Sequence, residues 1–220
     1  MSSSEKRQTL SRGRIVEGAL ALADDVGMQA FTIRRLATAL GVAPMTIYHY
    51  FPNKEAIIDA MVDAVFAQID VPPPDLDWKP AIRIRCVSAR EVLNRHPWAP
   101  PYMESRTSPG PATLRHHDAV LGCLRRGGLS FQMTAHAYAT LDSFLYGFAL
   151  EEASLPVGGG EEIQDVAAEM ATAFDAESYP HLVEFVTEHV MQPGYSFANS
   201  FAFGLDLIID GLSTASRRES

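Results

Sequence analysis

The apolar positions of the chain fall at helical spacing almost throughout. Ile15, Ala19, Leu22, Ala23 and Val26 recur at three- and four-residue steps, and Gly27 then offers a left-handed stop. Thr32 is placed to cap a second helix, Ile33 to Leu40, which ends at Gly41. Pro44 opens a short third helix through Phe51, because proline is tolerated in a first helical turn. After the break at Pro52-Asn53, Asn53 caps a fourth helix from Lys54 to about Asp70.

The run Val71-Pro72-Pro73-Pro74-Asp75 is a stiff linker that ends the first module. Amphipathic stretches follow at about 79–95, 111–127, 130–154, 161–175, 179–191 and 195–216. Gly127-Gly128 and the glycine-rich run from Pro156 to Gly160 separate some of them. No period-2 alternation is long enough for a strand, and no internal repeat is visible. The pattern predicts an all-α chain with a small N-terminal domain, residues 1–70, and a larger helical domain, residues 71–220.

Helices 130–154 and 195–216 carry the longest apolar stripes. Tyr138, Leu141 and Leu145 on the first, and Phe201, Leu205 and Ile208 on the second, fit two readings. They are core helices of one subunit, or they also build a four-helix interface with a second copy. Ala139, Gly147, Ala198 and Gly204 lie among them and permit close helix approach.

Composition narrows the class. Charged residues are 20% and hydrophobic residues 47%, an ordinary globular balance. No apolar run reaches the roughly 18 residues of a membrane span. Met1 to Arg14 is polar and basic, without the apolar core of a signal peptide, so a cytoplasmic protein is expected. Cys86 and Cys123 have neither metal-ligand nor redox spacing and read as buried free thiols.

The net charge of −9 argues against nucleic acid until its distribution is considered. Residues 1–58 carry seven Lys/Arg against five Asp/Glu, and the remainder eleven against twenty-two. An acidic body with a locally basic end suits DNA binding through that end.

The stretch TIRRLATALGVAPMTIYHYFPNK, Thr32 to Lys54, carries the function. Two short helices flank the tight turn Gly41-Val42-Ala43, with Leu36, Ala37 and Leu40 meeting Ile47 and Phe51. This is the layout of a helix-turn-helix, whose second helix enters the major groove. Apolar atoms of Pro44, Met45 and Thr46 can pack on thymine methyls, and the Thr46 hydroxyl can reach phosphate or base. Tyr48 and His49 offer a hydroxyl and an imidazole nitrogen to the same targets. Arg34 can reach a phosphate or fork onto guanine. Lys54, at a helix N-terminus, suits a phosphate.

These residues resemble the signature of the tetracycline repressor (TetR) family. The matching elements are Gly27, Thr32, Arg34, Leu36-Ala37, Leu40-Gly41-Val42, Thr46-Ile47-Tyr48, Tyr50-Phe51, Asn53-Lys54 and Ala56-Ile57-Ile58. The resemblance implies DNA contacts from Arg34, Pro44, Met45, Thr46, Tyr48, His49 and Lys54, with Thr32 in the same set. Position 43 is often a capping serine in that family, whereas this chain has Ala43. That loses a cap worth on the order of 1 kcal/mol.

Leu121 to Ala153 is similar, more weakly, to the tetracycline-repressor subgroup. The similarity implies a homodimer through 130–154 and 195–216, and a small-molecule effector held in the helical body. The aromatic, histidine and methionine residues His96, Trp98, Tyr102, Met103, His117, Phe144, Phe148 and Phe174 are candidate lining, each with an ordinary core role as the alternative. Met103 to Pro109 lacks the histidine with which the subgroup holds a magnesium-bound drug, so tetracycline is not the expected effector.

His116-His117 does not form a metal site, since adjacent helical side chains point apart. No cofactor motif is present. An all-helical metal-dependent hydrolase is the rival from another class, but HExxH, GxSxG and phosphate loops are absent. A DNA-binding activator or architectural protein without a ligand is the nearer alternative. The reading is therefore a dimeric repressor of double-stranded operator DNA, without membrane contact, released by an unidentified small molecule.

Overall fold

The computed structural model describes residues 10–155 and 176–219. All regular structure among them is helical, in two compact units, Met1–Gly128 and Leu129–Ser220. The expected helix at 161–175, and Phe174 with it, lie outside the described residues.

In the first unit α1 runs Arg12–Ala30, with the Ser11 hydroxyl accepting from the Arg14 N–H at 3.2 Å. Gly27 has φ 71°, but the chain resumes a helical turn beyond it rather than stopping there. The second helix α2 spans Ile33–Leu40, capped by Thr32, whose hydroxyl accepts from the Arg35 N–H at 3.2 Å. Gly41 closes it in the left-handed region, φ 67° and ψ 34°, which a side chain would strain. The Val42 N–H then donates to the Ala37 carbonyl at 3.0 Å, and the chain is turned for the next helix.

Helix α3 spans only Pro44–Tyr48, shorter than the spacing predicts. Tyr50 and Phe51 fold back instead, both amides donating to the Ile47 carbonyl, and Phe51 is delivered into the core. Ala43 makes no side-chain cap, as its methyl requires. Helix α4, Lys54–Phe66, starts at Asn53, whose side-chain oxygen accepts from the Ala56 N–H at 2.8 Å. It ends four residues short of the predicted Asp70. Ile15, Ala19, Phe31, Leu36, Ala37, Ile47, Phe51 and Ile57 are all buried where α1 packs on α2 and α4 and α2 packs on α3.

Helices α5, Trp78–Arg95, and α7, Pro111–Arg126, pack on each other, and α7 also packs on α4. A short helix α6, Pro100–Met103, not anticipated from spacing, joins them. Cys86 and Cys123 are free and buried, and burial pushes the Cys123 thiol up.

The second unit packs α8, Phe131–Ser154, against α10, Ser200–Glu219. Between them α9, Pro180–Phe185, continues into a π-turn at Val186–Val190, and a 3₁₀ turn at Phe197–Asn199 precedes α10. An aromatic cluster joins the two long helices. Phe144 stacks on Phe201 at 5.5 Å and Phe148 on Phe197 at 4.6 Å. A Cβ at Gly204 would sit 2.8 Å from the Phe144 ring, so glycine makes that stack possible.

Candidate DNA-reading head and effector cavity

The α2–turn–α3 segment places Thr32, Arg34, Pro44, Met45, Tyr48 and His49 on the solvent side, with Thr46 half-buried among them. Met45 is 67% exposed and Tyr48 44%, although both are large and partly or wholly apolar. Side chains left in water at the start of a short helix are available to base edges. Beneath them Leu36, Ala37, Ile47 and Phe51 are buried, so buried and solvent faces separate cleanly.

Lys54 sits differently from the other candidates. Its ammonium donates to the Phe31 carbonyl at 2.8 Å and lies 5.3 Å from the centre of the Phe31 ring. One of its three N–H groups is therefore engaged in holding the head together. Three residues outside the candidate set help do the same. Arg12 lies 4.1 Å over the Phe51 ring and bonds the Tyr50 carbonyl. The Tyr50 hydroxyl donates to the Leu10 carbonyl at 2.8 Å, and Arg35 donates to the Ala30 carbonyl at 3.3 Å.

The candidate effector residues of the first unit fall into two groups. His96 and Trp98 both turn to α1. His96 Nδ1 lies 2.8 Å from Asp24 Oδ1, and Trp98 Nε1 donates to the same oxygen at 2.7 Å. His96 Nε2 is 3.0 Å from the Gln68 amide nitrogen, just beyond α4. Tyr102 meets Trp98 edge-on at 6.2 Å. Met103 and His117 instead share a cavity of about 140 Å³ with Asp59, Val62, Arg106 and Thr113.

Carboxylates on α4 hold the rim of that cavity. Arg106 donates to Asp59 at 2.6 Å and to Glu55 at 2.9 Å. Burial opposes the guanidinium charge, but these two bonds and their attraction outweigh it and raise its pKa. Asp63 accepts the Thr113 N–H and hydroxyl at the start of α7.

Arg85 and His116 are each 1% exposed. Arg85 Nε donates to His116 Nε2 at 3.0 Å. Burial first, then the charges of Arg85 and His117, lower the His116 pKa to about 3, so its ring is neutral near pH 7. Among the described residues no three His, Cys, Asp or Glu side chains gather into a metal site.

In the second unit Phe144 and Phe148 close on Phe197 and Phe201. Leu141, Leu145, Phe201 and Leu205 are buried within the unit itself, whereas Tyr138 and Ile208 are half-buried. Outward apolar residues on the two long helices include Phe131 and Leu150 on α8 and Phe203 and Leu207 on α10, the last two 68% and 60% exposed.

A short helix presented across a tight left-handed turn, with its first residues free, defines a helix-turn-helix DNA-binding regulator. The family model described as "Bacterial regulatory proteins, tetR family" matches residues 15–61, and "Tetracyclin repressor-like, C-terminal domain" matches residues 71–216. The chain belongs to this TetR family. It is 30% identical to the tetracycline repressor protein class C of Escherichia coli, over 92% of this chain and 90% of that protein. It is 28% identical to the HTH-type transcriptional repressor DrrR1 of Streptomyces coeruleorubidus, over 94% and 78%. Its fold is similar to the Streptomyces coelicolor TetR family protein ActR solved with actinorhodin. The TM-score is 0.77 at 27% identity, with 94% of this chain and 99% of that one covered. The protein is a ligand-responsive transcriptional repressor that binds DNA, not an enzyme.

Proposed function

We propose that residues 1–70 read a roughly palindromic operator and that residues 71–220 bind a small effector and pair with a second copy in the cytoplasm. The separation of buried scaffold from exposed reading face on α2 and α3 carries this reading. Thr32, Arg34, Pro44, Met45, Thr46, Tyr48 and His49 are the contacting set, with Lys54 reaching a phosphate through its remaining N–H groups. A symmetric dimer presents two such heads to successive major grooves about 34 Å apart. An effector that favours the state in which the heads no longer fit releases the DNA.

The outer faces of α8 and α10 suit the dimer contact. Ala139, Ser143 and Gly147 are small and exposed on α8, while Phe203 and Leu207 stand out from α10. Of the residues singled out by periodicity, Tyr138 and Ile208 retain exposed surface for such a contact. Leu141, Leu145, Phe201 and Leu205 support it from beneath. The effector reading draws on the cavity at Met103 and His117, whereas Tyr102, Trp98 and His96 pack on one another and are not part of its lining. Phe144 and Phe148 serve chiefly the aromatic cluster of the second unit.

Fluorescence anisotropy tests the reading, with DNA from upstream of the protein's own coding region and a scrambled duplex at about 0.15 M salt. Tight binding to the first alone supports it. If that duplex behaves like the scrambled one, genome-wide selection of bound fragments follows. A selection that enriches no sequence overturns it.

A further inference from the structure

Arg12 and Lys54 repeat one arrangement at the two ends of the α2–turn–α3 unit. Lys54 Nζ lies 5.3 Å from the centre of the Phe31 ring and donates to the Phe31 carbonyl, just before α2. The Arg12 guanidinium lies 4.1 Å from the centre of the Phe51 ring and donates to the Tyr50 carbonyl, just after α3. Each cation is thus held against a buried phenylalanine by the negative face of the ring and by one backbone acceptor.

Arg12 opens α1, and the chain entering that helix is tied to the end of α3 in both directions. Tyr50 gives its hydroxyl to the Leu10 carbonyl at 2.8 Å, and its own carbonyl receives Arg12. The exposed Tyr48 and His49 immediately precede this tie. A cation from α1 therefore stands beside the last exposed residues of the helix-turn-helix, 36 positions away in sequence from Tyr48.

The tie does not use up the cation. A guanidinium has five N–H groups and no acceptor. Nη1 serves the Tyr50 carbonyl, which leaves Nε and Nη2, one bidentate edge of the fork. Arg12 is exposed, and among the described residues no carboxylate pairs with it. Ring and carbonyl also fix the side chain in advance, so it loses less rotamer freedom on binding than a loose arginine would.

We propose that Arg12 is a DNA contact in its own right, its free guanidinium edge bonding a backbone phosphate of the operator at one end of the reading unit while Lys54 takes a phosphate at the other. This rests on the reading that α2 and α3 present the DNA-contacting face. The target is a phosphate because two parallel N–H groups on a fixed plane match two of its oxygens.

The test is anisotropy of the full-length protein on its selected operator duplex and on the scrambled duplex, across several salt concentrations. Arg12→Gln is expected to bind both about tenfold more weakly at about 0.15 M salt. Its slope of log K against log salt should fall by about 0.9 for each reading head bound. Arg12→Lys, which keeps the charge, should keep the slope and most of the affinity. Tyr50→Phe loosens the start of α1 but spares the cation, and should keep the slope too. An unchanged slope in Arg12→Gln, a slope lost equally in Arg12→Lys, or a loss confined to the operator would overturn the proposal. Phenylglyoxal labelling of the wild-type protein, read by mass spectrometry, decides independently of whether a variant folds. Operator DNA should shield Arg12, and equal labelling with and without DNA would overturn the contact. Specific binding by the wild type with an indifferent Arg12 removes this proposal alone, whereas a wild type that selects no DNA removes the repressor reading with it.

Discussion

Asp63 on α4 accepts two hydrogen bonds from Thr113, one from its N–H at 2.8 Å and one from its hydroxyl at 3.0 Å. A carboxylate from one helix thus caps the first turn of another, α7, where the partial positive charge of the helix end favours it. Gly110 makes room, since a Cβ there would lie 2.3–2.6 Å from the Asp63 carboxylate. Asp63→Ala is expected to destabilise the fold by about 1–2 kcal/mol. Gly110→Ala should act through the same contact, so the double variant should lose less than the two single losses combined. Urea unfolding of the four proteins checks this, and strict additivity would dismiss the cap.

A second carboxylate joins more distant parts of the chain. Asp24 on α1 receives both His96 and Trp98 on one oxygen. Asp24→Ala leaves the indole N–H without its partner and is expected to cost about 1–3 kcal/mol. The intrinsic emission of Trp98 should shift with it. Thermal unfolding followed by tryptophan fluorescence is the measurement, and an unchanged midpoint would mean the contact is incidental.

The two cases show what was legible in the sequence. Thr32, Gly41, Pro44 and Asn53 could be read because each cap depends on residues within four positions of itself. The Asp24–His96 contact spans 72 positions, and no local rule announces it. His96 and Trp98 therefore read as candidate cavity lining from composition alone. Helix α10 illustrates a different gap. Phe201 and Leu205 form one apolar stripe and Phe203 and Leu207 another, and periodicity does not say which meets α8. The exposed face at the start of α3 was legible as such, because a turn of known hand leaves few residues in solvent there. The Arg85–His116 pair was not, because an arginine in an amphipathic helix ordinarily reads as a solvated charge.

Operator binding should respond to the reading face and not to the scaffold beneath it. Arg34→Ala and Tyr48→Ala are expected to weaken operator binding while the dimer persists in size-exclusion chromatography. If Arg34 meets a phosphate, the variant should also reduce the salt slope of log K by about one. Anisotropy titrations across several salt concentrations distinguish this from a base contact. Parental affinity in both variants would mean that another surface reads the DNA.

His116 makes stability sensitive to acid. Its pKa is about 3 in the fold against an ordinary 6.5, so the unfolded chain binds the proton first as pH falls. Stability from this group is intact above about pH 6.5 and declines toward pH 3, by up to about 1.4 kcal/mol per pH unit. His116→Gln keeps an acceptor for Arg85 and does not titrate. Between pH 6.5 and 4 its unfolding free energy should fall less steeply than that of the parent, by denaturant titration at each pH. Parallel slopes would mean that His116 titrates normally.

Self-association is tested most directly at Leu207. It is 60% exposed on α10, one turn from the 68% exposed Phe203, and neither belongs to the buried stripe of Phe201, Leu205 and Ile209. Leu207→Glu therefore leaves the subunit core untouched but places a charge where the proposed dimer excludes water. The variant is expected to sediment as a folded monomer with an unchanged helical circular dichroism spectrum. Operator affinity should fall with it, because a lone head forfeits the effective concentration that the second half-site supplies. Adding back Leu207→Lys at equal concentration should restore part of the dimer through the opposite charges, if residue 207 lies near the twofold axis. A Leu207→Glu protein that remains dimeric at micromolar concentration would place the interface elsewhere.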